Sequence, residues 1–189
     1  MLSTVSSQAA KTTGNVKVLC LRVLFADHTD APPLNTITNK IKSAETQYEK
    51  FSYDIMSLTY DTCTVTLNKR SNYSGGTLAA AAIEQAKAQG YTYNYDIEAG
   101  FHGWQPVGSK AIVGGNKLWS AGNGGSLIHE MGHCFGWGHQ KRWAAKKEGT
   151  SPYNPIDSNG NADVIDIWCF MKSSTMASEP AEHWRAGWL

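Results

Sequence analysis

The order of apolar and polar positions predicts alternating strands and helices over residues 16–136. Residues 16–25 (VKVLCLRVLF) are almost continuously apolar and rich in β-branched side chains, which predicts a buried central strand. Apolar residues recur at helical spacing over residues 35–53, which predicts an amphipathic helix. They are Ile37, Ile41, Ala44 and Tyr48. Residues 59–67 alternate, with Val65 and Leu67 on one face, and this pattern predicts a second strand.

Further along the chain the pattern predicts a second helix and three shorter strands. Residues 78–89 (LAAAAIEQAKAQ) are strong helix formers, and Gly90 is placed to end that helix. The strand candidates are residues 95–101, 111–113 and 117–119. A helix follows them from Ser126 to about Gly136. The predicted order β-α-β-α-β-β-α indicates an α/β (α+β) fold with a twisted mixed sheet.

Length and charge narrow the classes of protein and partner. The 189 residues suit one domain, 1–189. The formal net charge of +1 gives no electrostatic reason to expect nucleic acid or an anionic membrane as a partner. No apolar run approaches the roughly 20 residues that cross a bilayer. The first residues lack the apolar core of a signal peptide. If the protein is secreted, we expect its signal and any pro-segment to have been removed.

Residues 129–139 (HEMGHCFGWGH) carry the candidate chemistry. His129 and His133 lie one helical turn apart, so two imidazoles can meet one ion. Glu130 lies beside that position, within reach of a water molecule. Gly136 can adopt a positive φ and turn the chain, which returns His139 as a third ligand. From this composition, the five fixed positions should coincide by chance with a probability of roughly a few in 10⁵.

Three neutral imidazoles would leave one coordination position of a zinc ion open for water. Zinc lowers the pKa of such a water toward about 7, and Glu130 could then act as general base. The alternative is that these histidines are ordinary helix and surface residues. The surrounding sequence favours the site, because Ser126 is a suitable N-cap and an apolar face follows it. That face consists of Leu127, Met131 and Cys134.

The extended motif resembles that of the metzincin zinc peptidases, and other segments resemble the gametolysin-like peptidases among them. Those segments are residues 18–27, 51–58, 111–119, 166–171 and 183–189. The resemblance implies a two-lobed domain, with an upper lobe of about 15–139 and a lower lobe of about 140–189. It also implies a Met-turn beneath the metal, for which Met171 is the first candidate and Met176 the second. Ser173 stands where some relatives have a tyrosine ligand, so none is expected.

Cysteine pairing and calcium binding stay open. If Met171 lies beneath the metal, Cys134 and Cys169 could form a bridge; the alternative is two buried thiols. Cys20 and Cys63 lie on strands that could be neighbours, which permits a second bridge. Residues 157–163 have oxygen ligands at alternate positions, but the spacing departs from a calcium loop and favours a polar turn.

These observations predict a secreted zinc-dependent endopeptidase with one catalytic Zn²⁺. The resemblance implies that the substrate is a protein or peptide bound in extended form along an edge strand within residues 110–119. One alternative is a zinc-containing binding or adhesion module without useful catalysis. Another is a zinc hydrolase of non-peptide amides or esters.

Overall fold

A five-stranded mixed sheet lies at the centre of the structure, a computed structural model that describes residues 10–92, 94–103, 109–121, 127–138 and 186–188. The elements are β1 (Gly14–Phe25), α1 (Leu34–Phe51), β2 (Met56–Leu67), α2 (Gly75–Ala88), β3 (Ile97–His102), β4 (Lys110–Ala111), β5 (Lys117–Ala121) and α3 (Leu127–Cys134). A short 3-10 turn, Arg70–Asn72, joins β2 to α2. The predicted α/β class is confirmed. Each of the three strand candidates after the second helix overlaps a strand of the structure, which is one strand more than the predicted order contains.

The strand order is β2-β1-β3-β5-β4. The first four of these strands are mutually parallel, and β4 runs antiparallel to β5 at the sheet edge. Inner parallel strands are covered by helices on both faces, which explains the nearly continuous apolar run of β1. The predicted edge strand therefore exists, but β4 is shorter than expected. The Ile112 carbonyl accepts a hydrogen bond from Gly115 N–H at 2.8 Å, which closes a turn and ends the strand.

Helices α1 and α3 pack on one face of the sheet, which we call the α1–α3 face, and α2 packs on the other, the α2 face. The α1–α3 face buries residues such as Val16, Val18, Ile37, Ile41, Leu58, Ile97, Phe101 and Met131. The α2 face buries Leu19, Leu21, Val23, Phe25, Cys63, Val65, Leu67, Leu78 and Ala82, among others. Both cores draw on β1, because successive side chains of a strand point to opposite faces.

The Cys20–Cys63 bridge, one of the pairings left open by the sequence, is not formed. The strands β1 and β2 are neighbours, but Cys20 is registered with Thr62, and Cys63 with Leu21. Cys20 therefore lies in the core of the α1–α3 face and Cys63 in that of the α2 face. Both are free thiols. Burial, and to a lesser extent the charge of Asp61, raises the pKa of Cys20 to about 12.

Several predicted features lie outside the described residues. They include Ser126, His139, Met171, Met176, Cys169, the candidate calcium loop 157–163 and nearly all of the lower lobe. Residues 186–188 are described, and two of them, Ala186 and Trp188, pack in the core of the α1–α3 face. In the part of the chain that is described, no helix has the length and apolarity to span a membrane.

Candidate metal centre

Helix α3 brings two of the predicted zinc ligands together. Its predicted apolar face, Leu127, Met131 and Cys134, is buried in the core of the α1–α3 face. His129 is half-buried and His133 is 6 % exposed. The centroids of these two imidazole rings are 4.7 Å apart, and the ring planes are nearly perpendicular at 88°. Two imidazoles one turn apart on a buried helix are thus adjacent, as the spacing predicts.

The helix ends in a glycine-dependent turn, as expected. Gly136 has φ +91°, which favours glycine because it has no Cβ. The N–H of Gly136 donates to the His133 carbonyl at 2.9 Å, and Trp137 N–H donates to the Gly132 carbonyl at 3.0 Å. This pair of hydrogen bonds is the Schellman arrangement, in which a left-handed residue reverses the chain and satisfies the last carbonyls. The turn thereby fixes the position of the Trp137 backbone nitrogen at the end of α3.

The carbonyl oxygen of Trp137 determines which nitrogen of His133 carries the proton. It lies 2.7 Å from His133 Nδ1. A carbonyl only accepts hydrogen bonds, so Nδ1 is the donor, and in the neutral ring the lone pair is on Nε2. Metal-binding histidines are commonly oriented in this way, by donating their second ring N–H to a backbone carbonyl. His133 therefore has the tautomer of an Nε2 zinc ligand.

Glu130 lies between the two histidines in sequence and is 5 % exposed. Burial raises the pKa of its carboxyl to about 7, and a hydrogen bond from the backbone N–H of Ala111 partly offsets that effect. Within the described residues, the buried Oε2 atom of Glu130 has no hydrogen-bond partner. A buried carboxylate with one oxygen unsatisfied and a pKa near neutrality suits a group that accepts and returns a proton.

The turn after β4 is fastened to the end of α3. The N–H of Gly114, a residue with φ +73°, donates to the His133 carbonyl at 2.8 Å. Together with the Ala111–Glu130 bond, this places the sheet edge directly against the helix that carries the candidate ligands. A peptide paired along β4 would run beside Glu130.

The donors present fit a zinc ion in their chemistry and spacing, since neutral imidazoles are common zinc ligands. Within residues 10–138 as described, and 186–188, no group of three or more His, Cys, Asp or Glu side chains is assembled around one point. His139, the predicted third ligand, lies outside those residues. Cys134 is buried, and burial, together with the charge of Glu130, raises the pKa of its thiol to about 12. That thiol stays protonated at neutral pH.

Sequence reasoning missed the backbone groups that orient the site. The Ala111 N–H and the Trp137 carbonyl contact the site through atoms that every residue possesses, so residue type gives no signal for them. Only the position of Trp137 directly after Gly136 could have indicated its role, because a carbonyl there points back toward the helix end.

Comparisons of the chain with models of known protein families, with characterised proteins and with solved structures gave no match. The interpretation of the site therefore depends on its own residues and geometry.

Proposed function

We propose that this chain is a zinc-dependent endopeptidase of the metzincin type, in which His129, His133 and His139 hold the metal and Glu130 is the general base. The observation that carries the proposal is the position of Glu130. Its carboxylate is buried beside two adjacent histidines and is held by the backbone of an edge strand. Two lobes, a Met-turn at Met171 and a secreted location belong to the same proposal.

When bound, zinc would polarise the scissile carbonyl and lower the pKa of a water molecule. The chain's own groups do the rest. Glu130 accepts the proton of the attacking water and later passes it to the leaving amine. The Ala111 N–H holds the carboxylate in place. An extended substrate would pair with β4, which lies at the edge of the sheet.

The buried Glu130 favours an enzyme over a zinc-containing binding module. Burying a carboxylate without full hydrogen bonding costs stability, and a purely structural metal site gains nothing from that cost. Comparing casein with small amide and ester substrates distinguishes an endopeptidase from a hydrolase of non-peptide bonds.

Cleavage of casein, an unstructured protein substrate, tests the proposal. We expect cleavage that a zinc chelator abolishes and that trace zinc restores. Magnesium added at the same concentration should not restore it, because Mg²⁺ prefers oxygen ligands. Cleavage that persists in chelator, after metal analysis has shown that the protein is zinc-free, would refute a metallopeptidase.

A further inference from the structure

The short segment around Trp188 is built into the core that supports α3. Ala186 and Trp188 are both 3 % exposed and belong to the core of the α1–α3 face. The indole Nε1–H of Trp188 donates to the Thr12 carbonyl at 2.6 Å. The hydroxyl of Thr12 in turn donates to the Ala186 carbonyl at 2.8 Å. These two reciprocal bonds fix the depth at which the Trp188 ring enters the core.

The irregular segment of residues 10–12 connects this anchor to the site helix. The N–H of Ala10 donates to the carbonyl of Cys134, the last residue of α3, at 3.1 Å. Trp188 is therefore positioned by the same few residues that satisfy the end of α3. A shift of Trp188 would therefore disturb the end of α3, and a shift of α3 would disturb Trp188.

The Trp188 ring packs on the residue that orients His133. It stands edge-to-face on Trp137, with ring centroids 5.3 Å apart and an interplanar angle of 88°. Tyr48 of α1 contacts both indoles, with centroid distances of 6.1 Å to Trp137 and 6.4 Å to Trp188. Aromatic pairs in such edge-to-face geometry prefer a fixed mutual orientation. The Trp137 ring is thus held between α1 and Trp188.

We propose that Trp188 is a positioning residue for the zinc ligand His133 and acts through Trp137. Trp137 lies beyond the last residue of α3, so its carbonyl is not held by a helical hydrogen bond. Packing of the Trp137 ring therefore helps to fix the position of that carbonyl. That carbonyl holds His133 Nδ1–H at 2.7 Å. Loss of the Trp188 ring lets Trp137 shift, weakens the Nδ1–H bond and frees the imidazole to adopt its other tautomer. The inference rests on the proposed function, because it concerns how tightly the same site holds zinc.

Zinc affinity of Trp188→Leu and Trp188→Phe tests the inference, measured by competition with a chromophoric chelator. Loss of a group that orients a metal ligand typically weakens metal binding by about 10–100-fold, and we expect this range for Trp188→Leu. Trp188→Phe keeps a ring but loses the bond to Thr12, so its zinc affinity should fall by less. If Trp188→Leu does not fold, Trp188→Phe decides the matter. Wild-type affinity in the folded Trp188→Phe would then overturn the inference.

Leu78→Ala is the matched control. Leu78 is fully buried on the α2 face, so the substitution leaves a cavity there and destabilises the protein without touching α3. We expect its melting temperature to fall while the zinc affinity of the folded protein stays at the wild-type value. If Trp188→Leu behaves in the same way, Trp188 has a structural role only and the inference is wrong.

Imidazole ¹⁵N chemical shifts of the zinc-free protein give a readout that does not depend on metal binding. Wild-type His133 should show the Nδ1–H tautomer, and Trp188→Leu should show the Nε2–H tautomer or a mixture. If His133 has the same ¹⁵N shifts in the wild type and in Trp188→Leu, the inference is wrong, whatever the zinc affinities of the two proteins are. Failure of the wild-type protein to bind zinc refutes the proposed function instead, and the tautomer comparison still tests the role of Trp188.

Discussion

The two faces of the sheet are built on the same strands but bury different kinds of side chain. On the α2 face, an alanine-rich helix packs on aliphatic side chains of β1 and β2. On the α1–α3 face, the core must also accommodate His133 and Glu130, two polar groups that are almost fully buried. The α2 face is stabilised mainly by apolar burial, although it also buries His102 beside Trp119. On the α1–α3 face, specific hydrogen bonds serve His133 and one carboxylate oxygen of Glu130.

Backbone atoms serve the two buried polar side chains of the α1–α3 face, and a side-chain hydroxyl of α1 serves the backbone of α3. The Trp137 carbonyl serves His133, the Ala111 N–H serves Glu130, and the Tyr48 hydroxyl donates to the Ile128 carbonyl at 2.7 Å. Each of these bonds ties α3 to a different part of the chain. The comparison therefore teaches that substitutions on the α2 face should alter stability, while those on the α1–α3 face should also alter the site.

The largest expected effect comes from Glu130→Gln. The amide keeps the shape of the side chain but cannot accept the proton, so casein turnover should fall by about 10²–10⁴-fold. Zinc content, measured by elemental analysis, should stay at the wild-type level.

Glu98→Gln on the α2 face is the control for Glu130→Gln. Glu98 is a half-buried carboxylate whose pKa is also raised by burial, and the Lys117 Nζ atom lies 3.8 Å from its Oε2. It lines a small cavity beneath α2, with Leu21 and Ala79. We expect wild-type turnover for this variant. Wild-type turnover in Glu130→Gln would show that the carboxylate takes no part in the reaction.

A smaller effect on turnover should follow from Ala111→Pro. Proline has no N–H, so Glu130 loses its hydrogen bond from the edge strand. Hydrogen bonds to charged groups contribute about 1.5–3 kcal/mol, so turnover should fall by roughly 10–100-fold if the bond orients the carboxylate in the transition state. Ala111→Gly keeps the N–H and should retain turnover within a few-fold of wild type. Equal kinetic constants for the proline and glycine variants would exclude a role for this bond.

On the α2 face, Gly100→Ala should lower the free energy of unfolding by about 1–3 kcal/mol, because it overpacks the core. A Cβ on Gly100 would meet the ring of Trp119, the neighbouring residue on β5. Urea unfolding measures the loss. Gly138→Ala is the control, since a Cβ there meets nothing within 4 Å. The folded Gly100→Ala protein should keep wild-type zinc affinity, and a weakened affinity would show that the two faces are coupled.

The sequence predicts most of the sheet and the site helix because both depend on periodic patterns of residue type. The alternation in β2 and the helical spacing in α1 each identify a buried face, and the four-residue spacing of His129 and His133 requires them to share a helix face. Strand register is different, since it depends on how two strands align. Sequence alone could not show that Cys20 and Cys63 point to opposite faces. Contacts between distant residues, such as Trp188 with Thr12, also leave no local pattern.

The smallest expected effects come from removing one hydroxyl on each face. Tyr48→Phe removes the bond to the Ile128 carbonyl, and Tyr91→Phe removes a similar bond, at 3.0 Å, to the Thr62 carbonyl. Each variant should lose about 1 kcal/mol of unfolding free energy, as measured by urea titration, because a carbonyl loses its partner.

The two variants should differ at the site, although their losses of stability are similar. Ile128 directly precedes the proposed zinc ligand His129, so Tyr48→Phe loosens the start of α3 and should weaken zinc affinity a few-fold. Tyr91→Phe lies across the sheet and should leave zinc affinity unchanged, because the bond that it removes does not contact α3. If both variants weaken zinc binding equally, the site responds to global stability. If only Tyr48→Phe weakens zinc binding, the hydrogen bonds of the α1–α3 face position the proposed ligands locally. Substitutions on the α2 face then alter stability alone, whereas those on the α1–α3 face also alter the site.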